Sequence, residues 1–318
     1  MYAAVLHELG SSPRFEQFDD PVAREGEVLV QVRAASLKPI DKMMAGGAHY
    51  ASFRELPVVC GVDGVGTLET GARVLFGGAR PPFGAMAEKT VVPRAFCFPV
   101  PDGLDDATAA AVANPAGSSW LPLKWRAQLK PGQTVLVLGA TGVAGKLAVQ
   151  IAKILGAGRV IAAGRNPKAL ETTRSLGADT TIQIDQPRKN LVEAFASAAK
   201  GGIDIVLDYL WGAPTEALVE ALTGHDFTAE PRVTRLIEIG ASAGPTMALP
   251  GAALRSSGLE ICGSGGGSVP RHAIAEAIPE ILKCAAHGDL KLETKKVPLA
   301  DVETAWNQKE DRRVVFVP

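Results

Sequence analysis

The chain has 318 residues, 47% hydrophobic and 21% charged, which excludes a small disulfide-stapled module, a disordered chain and a collagen-like repeat. Lys and Arg number 33 against 34 for Asp and Glu, so no net field draws the protein to nucleic acid or to an acidic membrane, and any phosphate recognition must be local. Cys60, Cys97, Cys262 and Cys284 include no CxxC pair, and no signal-like or membrane-length apolar run is visible, so a cytoplasmic protein is expected.

Taken in chain order, the first hundred residues predict short strands over Ala3–Leu6, Glu27–Ala34, Val58–Cys60, Arg73–Phe76, Ala87–Val92 and Ala95–Val100, separated by Gly and Pro clusters. A helix is expected over Asp105–Ala113. Near Gly117 the pattern changes to strand–helix alternation, the mark of a parallel sheet with crossover helices. Strands are expected at Thr134–Leu138, Val160–Ala163, Thr180–Ile184, Ile203–Asp208, Thr234–Ile239 and Leu259–Cys262. Helices are expected at Ala144–Leu155, Pro167–Leu176, Leu191–Ala199, Thr215–Leu222 and Arg271–His287. The expected domains are therefore 117–263, doubly wound, and a discontinuous β-rich unit of 1–116 and 264–318.

The most informative segment runs from an apolar strand through Gly139-Ala140-Thr141-Gly142-Val143-Ala144-Gly145 into a helix. Gly139 and Gly142 permit a tight turn that approaches a diphosphate, and Gly145 lets helix and strand pack closely. The free N–H groups of the helix start favour an anion, so a dinucleotide pyrophosphate is expected. A ribose 2′-hydroxyl would call for an acid at the end of the second strand. That strand instead ends Gly164-Arg165-Asn166-Pro167-Lys168, where a guanidinium and an ammonium suit a 2′-phosphate, so NADPH is expected over NADH. By the same logic Gly164→Asp is expected to move preference toward NADH.

With these motifs in place, the chain resembles the zinc-independent quinone oxidoreductase branch of the medium-chain dehydrogenase/reductase superfamily. Ala3-Ala4-Val5-Leu6, Glu27–Asp41, the Gly61–Gly66 turn, Lys130-Pro131-Gly132 and Ser175-Leu176-Gly177-Ala178-Asp179 look like its signatures. The resemblance implies an α/β protein with a GroES-like β-barrel domain, completed by the C-terminal segment, beside a Rossmann doubly wound parallel-sheet domain. It implies NADPH-dependent hydride transfer to a quinone or an α,β-unsaturated carbonyl by a cytoplasmic homodimer. Leu259–Cys262 reads as the edge strand available for self-pairing.

Departures from the family qualify the site. Lys38, Val62, Asp63 and Asn114 stand where zinc alcohol dehydrogenases carry Cys, His, Glu and Cys, so no metal is expected; Cys284 and His287 alone make a poor ligand pair. Lys38 also replaces the family's Asn, and either approaches the cofactor or is simply solvated. Tyr50 either donates to the substrate oxygen or is a surface aromatic. Met43, Tyr50, Phe83 and Trp211 are candidates for a substrate wall, with Met44 beside them. Gly240-Ala241-Ser242 and Gly263-Ser264-Gly265 follow the fifth and sixth parallel strands and are expected to meet the nicotinamide. Two other functions stay open: a noncatalytic NADPH-binding sensor or structural protein, and an enoyl-thioester reductase.

Overall fold

A computed structural model describes residues 1–223 and 232–318. The chain divides into two compact units, Met1–Asn114 with Ile278–Gly288 and Leu292–Pro318, and Pro115–Ala277 with Asp289–Lys291. Residues 115–116, 264–277 and 289–291, placed by the sequence reading with the first unit, thus pack with the second. The chain changes unit inside a continuous helix, Asp106–Leu121, which runs on past the predicted end at Ala113.

The first unit is β-rich and antiparallel except for one parallel pair, Thr294–Pro298 with Arg313–Val317. One sheet joins Arg14–Gln17, Tyr2–Leu6 and Val58–Val59. A larger one runs Thr294–Pro298, Arg313–Val317, Glu27–Ser36, Asp63–Leu68, Arg73–Gly77 and Cys97–Pro99, with Lys89–Pro93 also paired to Glu27–Ser36. The C-terminal strand enters this sheet by pairing Val315 with Ser36 and Phe316 with Ala35. Alternate residues of Glu27–Ser36 point inward, so Val28, Val30 and Val32 join Leu6, Phe76, Met86, Trp306 and Phe316 in one core. The sequence reading omitted Asp63–Leu68, whose two glycines depress strand propensity. Gly66 is required there because a Cβ would lie 2.4 Å from Gln31 O.

The second unit is a six-stranded parallel sheet in the order Thr180–Gln183, Arg159–Gly164, Thr134–Leu138, Ile205–Asp208, Val233–Glu238, Gly258–Gly263. Order reverses on either side of Thr134–Leu138, so the switch point lies between it and Ile205–Asp208, where such sheets bind ligands at their carboxyl ends. Helices on the faces bury Leu136, Leu138, Ile161, Val206 and Leu236 with Phe195 and Leu218. Among the described residues Gly258–Gly263 pairs only with Val233–Glu238 and forms one edge. No helix among the described residues is long and apolar enough to cross a membrane.

Candidate functional site

In the second unit the wholly buried strand Thr134–Leu138 leaves the sheet at Gly139, whose φ of +87° disfavours any side chain. The N–H groups of Gly139 and Ala140 both donate to Ala163 O, at 2.9 Å each, pinning the turn to the neighbouring strand. Gly142 then starts the helix Val143–Ile154 without a side-chain cap. The N–H of Lys146 is the first to bond back, to Gly142 O at 2.9 Å. Those of Val143, Ala144 and Gly145 have no acceptor among the described residues. A Cβ at Gly145 would lie 2.2 Å from Gly139 O and 2.6 Å from the Ala140 Cα. Helix and turn therefore touch at a distance that only glycine permits, and a positive helix end is left bare of side chains, as a pyrophosphate requires.

Gly164 ends the adjacent strand and completes this cradle, since a Cβ there would lie 2.5 Å from the Thr141 Cγ2. A side chain at Gly164 would press on Thr141, so in Gly164→Asp that threonine must shift before the carboxylate can face a ribose. Beyond Gly164, the Asn166 side chain accepts from the Ala169 N–H at 3.0 Å and caps the helix Pro167–Ser175, fixing the turn. Arg165 and Lys168 flank that cap, both exposed, and neither side chain pairs with a described residue. Two unmatched cations thus stand at the end of the second strand.

At the carboxyl ends of the next strands, Asp208 is wholly buried. Its Oδ1 accepts from the N–H groups of Leu210 and Trp211 at 2.8 and 2.9 Å, and its Oδ2 accepts from the Thr215 hydroxyl at 2.6 Å. These bonds hold a loop in which Trp211 adopts a φ of +56° and its side chain packs on the core. Burial pushes the Asp208 carboxyl up, against the pull of the three hydrogen bonds. Its register neighbour Glu238 is raised by burial and then by the Asp208 charge. Gly240 donates its N–H to Asp208 O at 3.2 Å, the Ser242 hydroxyl to Tyr209 O at 2.8 Å, and the Ser264 N–H to Glu238 O at 2.8 Å. The Gly265 N–H donates to the Ser268 hydroxyl at 2.8 Å. Both glycine loops are anchored to their strands, with Ala241 and Gly265 exposed.

In the first unit Lys38 is 1% exposed. Its Nζ donates to Ser36 O at 2.8 Å, to the Ser36 hydroxyl at 3.2 Å and to Asp63 Oδ1 at 2.9 Å, with Asp41 Oδ2 at 3.4 Å. Both roles considered from sequence are corrected: Lys38 is not solvated, and all three of its protons are committed inside the unit. Burial alone would push the ammonium down, but Asp41 and Asp63 raise it above the ordinary lysine value. Asp41 also accepts from the Lys38 and Val62 N–H groups at 2.8 and 3.0 Å. Arg313, from the C-terminal strand, donates to Leu37 O at 2.7 Å. No sequence motif signals this cluster, because its members lie far apart in the chain.

Met43 is exposed on the short helix Pro39–Ala45, and Tyr50 is 80% exposed in the following loop. Tyr50 stacks on His49, which the sequence reading passed over, with ring centroids 4.0 Å apart. Phe83 packs edge-on to Phe18 at 6.2 Å and under the Arg80 guanidinium at 5.6 Å, which engages it within its own surface. Cys60, Cys97, Cys262 and Cys284 are free thiols. Among the described residues no three His, Cys, Asp or Glu side chains gather as a metal site would need.

Comparison with known proteins agrees with this geometry. Residues 24–102 match the alcohol dehydrogenase GroES-like domain, and residues 143–283 match the zinc-binding dehydrogenase family. The quinone oxidoreductase of Thermus thermophilus, whose structures include a complex with NADPH, is 30% identical and superposes with a TM-score of 0.82 over 100% of both chains. A protein of Emericella nidulans named "Probable NADPH-dependent quinone reductase tdiC" is 26% identical over 100% of both. The chloroplastic NADPH-dependent alkenal/one oxidoreductase of Arabidopsis thaliana is 32% identical over 54% of this chain and 48% of its own.

Proposed function

Because the chain belongs to the quinone oxidoreductase branch of the medium-chain dehydrogenase/reductase superfamily, we propose that it reduces a quinone or an α,β-unsaturated carbonyl with NADPH and without zinc. The observation that carries this reading is the glycine cradle. Gly139, Gly142 and Gly145 leave the start of the helix Val143–Ile154 bare, and Arg165 and Lys168 wait unpaired beside it. The turn Gly139–Ala144 would hold the pyrophosphate, and Arg165 and Lys168 the 2′-phosphate. The loops Gly240–Ser242 and Gly263–Gly265 would hold the nicotinamide half. Bound there, NADPH supplies the hydride.

The chain's own residues do the rest. Met43 and Tyr50 offer apolar surface to a flat acceptor, and Phe83 and Trp211 serve as supports of their own loops. Negative charge grows on the acceptor oxygen as hydride adds, so an N–H or O–H donor must face it; Tyr50 offers a phenol and water offers the proton. Zinc chemistry is disfavoured by the donor set, because the buried Lys38 ammonium already neutralises Asp63 and a second cation beside it would be repelled. A homodimer formed through the free edge Gly258–Gly263 in the cytoplasm completes the proposal.

The test is NADPH oxidation, followed at the nicotinamide absorbance, with quinones, alkenals and simple alcohol–ketone pairs, each with and without a chelator. Quinones or enones should react and the chelator should change nothing. Reaction confined to alcohols and ketones, or loss of activity on chelation, would overturn the proposal. Light scattering that gives the monomer mass would remove the dimer.

A further inference from the structure

The two loops assigned to the nicotinamide half both belong to the second unit, and a carboxylate without a partner stands where they begin. Alternation along Val233–Glu238 puts Glu238 on the face of the buried Leu236, at the carboxyl end of the sheet, in register with Asp208 on one side and Gly263 on the other. Gly240 opens the first loop two residues later. The second loop is fastened to the same residue, because the Ser264 N–H donates to Glu238 O at 2.8 Å. The Glu238 side chain leans toward that loop: its Oε2 lies 3.9 Å from where a Cβ of Gly263 would sit, and Gly263 has no side chain to cover it. Glu238 is half-buried, yet no hydrogen-bond donor and no cation among the described residues meets its carboxylate. Asp208 beside it has the same sign and takes the Leu210, Trp211 and Thr215 donors for itself. A carboxylate covered to this degree is ordinarily paired, so its position calls for a cation from outside the chain.

We propose that the Glu238 carboxylate is the counter-ion of the oxidised nicotinamide ring, and that it draws hydride out of NADPH by stabilising the positive charge left behind. The proposal rests on the cofactor assigned above. When hydride leaves with its electron pair for the acceptor carbon, one positive charge remains on the ring, while Glu238 gains and loses no atom. Its attraction is absent from the neutral reduced ring, partial in the transition state and full in the oxidised product, so it lowers the barrier to hydride transfer. Burial first, and then the Asp208 charge, raise the Glu238 carboxyl above its ordinary value. A cation beside it opposes both effects. Charged groups on the helices of the same face are engaged elsewhere: Glu216 and Glu220 pair with Arg188, and the Arg255 guanidinium lies against Gly251.

NADP+ and NADPH carry the same phosphates and differ in charge only at the ring, so their relative affinity isolates this contact. Both are titrated by calorimetry at pH 8 into wild type, Glu238→Gln and Glu238→Asp. Glu238→Gln should bind NADP+ roughly tenfold more weakly, as expected for one lost charge-assisted contact, and should bind NADPH about as wild type does. Glu238→Asp keeps the charge on a shorter side chain and should recover part of the NADP+ affinity. If Glu238→Gln changes both affinities equally, or neither, the role of Glu238 is overturned and the cofactor reading stands; a wild type that binds neither nucleotide removes both. The second measurement needs no variant. In wild-type protein carrying 13C at its glutamate carboxyls, Glu238 should titrate at lower pH in the NADP+ complex than in the NADPH complex. The same titration in both complexes would overturn the proposal.

Discussion

The glycine turn of the second unit and the ion cluster of the first handle charge in opposite ways. At the turn, three N–H groups, Arg165 and Lys168 are left without partners among the described residues, and backbone approaches backbone so closely that Gly145 admits no Cβ. In the cluster, Lys38 and Asp41 are buried, Asp63 is largely covered, and every Lys38 proton is used. The first arrangement is incomplete until an anion arrives. The second is already complete, and completeness makes it scaffold: it fastens the end of the strand Glu27–Ser36 to Gly61–Asp63 and lies beside the C-terminal strand. Unmet charge at a position fixed by backbone marks a binding site more reliably than density of charge does.

The sharpest way to break this comparison is to leave the cluster incomplete. Lys38→Met fills a similar volume but strands the Asp63 and Asp41 carboxylates, and should cost about 3–5 kcal/mol, the usual loss when one partner of a buried pair is removed. The double variant Lys38→Met with Asp63→Leu should recover much of that loss. Urea unfolding of the three proteins measures both effects; a single variant as stable as wild type would show that the cluster is not a closed scaffold.

At the turn the expected loss falls on binding as well as on stability. Gly145→Val drives a branched side chain into Gly139 O, so the helix must back away, at about 1–3 kcal/mol of overpacking strain. The N–H groups aimed at the pyrophosphate move with it, and NADPH titrated by fluorescence should bind at least tenfold more weakly. Unchanged NADPH affinity would mean that the cradle is only a tight turn.

Arg165→Ala should do less, because the guanidinium is exposed and screened. Loss of its charge-assisted bonds should cost about 1.5 kcal/mol, the low end for hydrogen bonds to a charged group, or roughly tenfold in NADPH affinity. NADH affinity should not change. Equal weakening of both nucleotides would reduce Arg165 and Lys168 to a solvated basic turn.

The same contrast explains what was legible before the structure. Thr134–Leu138, Gly139–Gly145 and the absent acid after Gly164 are contiguous, and each follows from local rules: an apolar run, residues without a Cβ, a strand end. The doubly wound order could be read because strands and crossovers alternate in the sequence. Lys38 could not be read, because its role depends on Asp63, 25 residues on, and its neighbourhood includes Arg313, at the far end of the chain. The helix Asp106–Leu121 outran its predicted end because Pro115 reads as a breaker, yet packing carries the helix through.

Asp208 falls between the two regions, as a buried carboxylate with hydrogen-bond donors but no cation among the described residues, and it gives the mildest test. Burial holds its folded pKa above the ordinary 3.8, so the native state prefers the neutral form. Its contribution to stability is complete below 3.8 and declines as pH rises through the raised folded value. Asp208→Asn keeps an oxygen for the Leu210 and Trp211 N–H groups and turns an amide toward the Thr215 hydroxyl, which can accept. The variant should therefore match wild type near pH 3 and exceed it at pH 7, by an amount on the order of 1 kcal/mol. The Glu238 carboxyl, raised in part by the Asp208 charge, should titrate lower in the variant. Thermal unfolding across that pH range and carboxyl NMR measure the two effects. A wild-type advantage that grows with pH would show that the three donors outweigh burial and stabilise the ionised Asp208, placing it with the matched charges of the first unit.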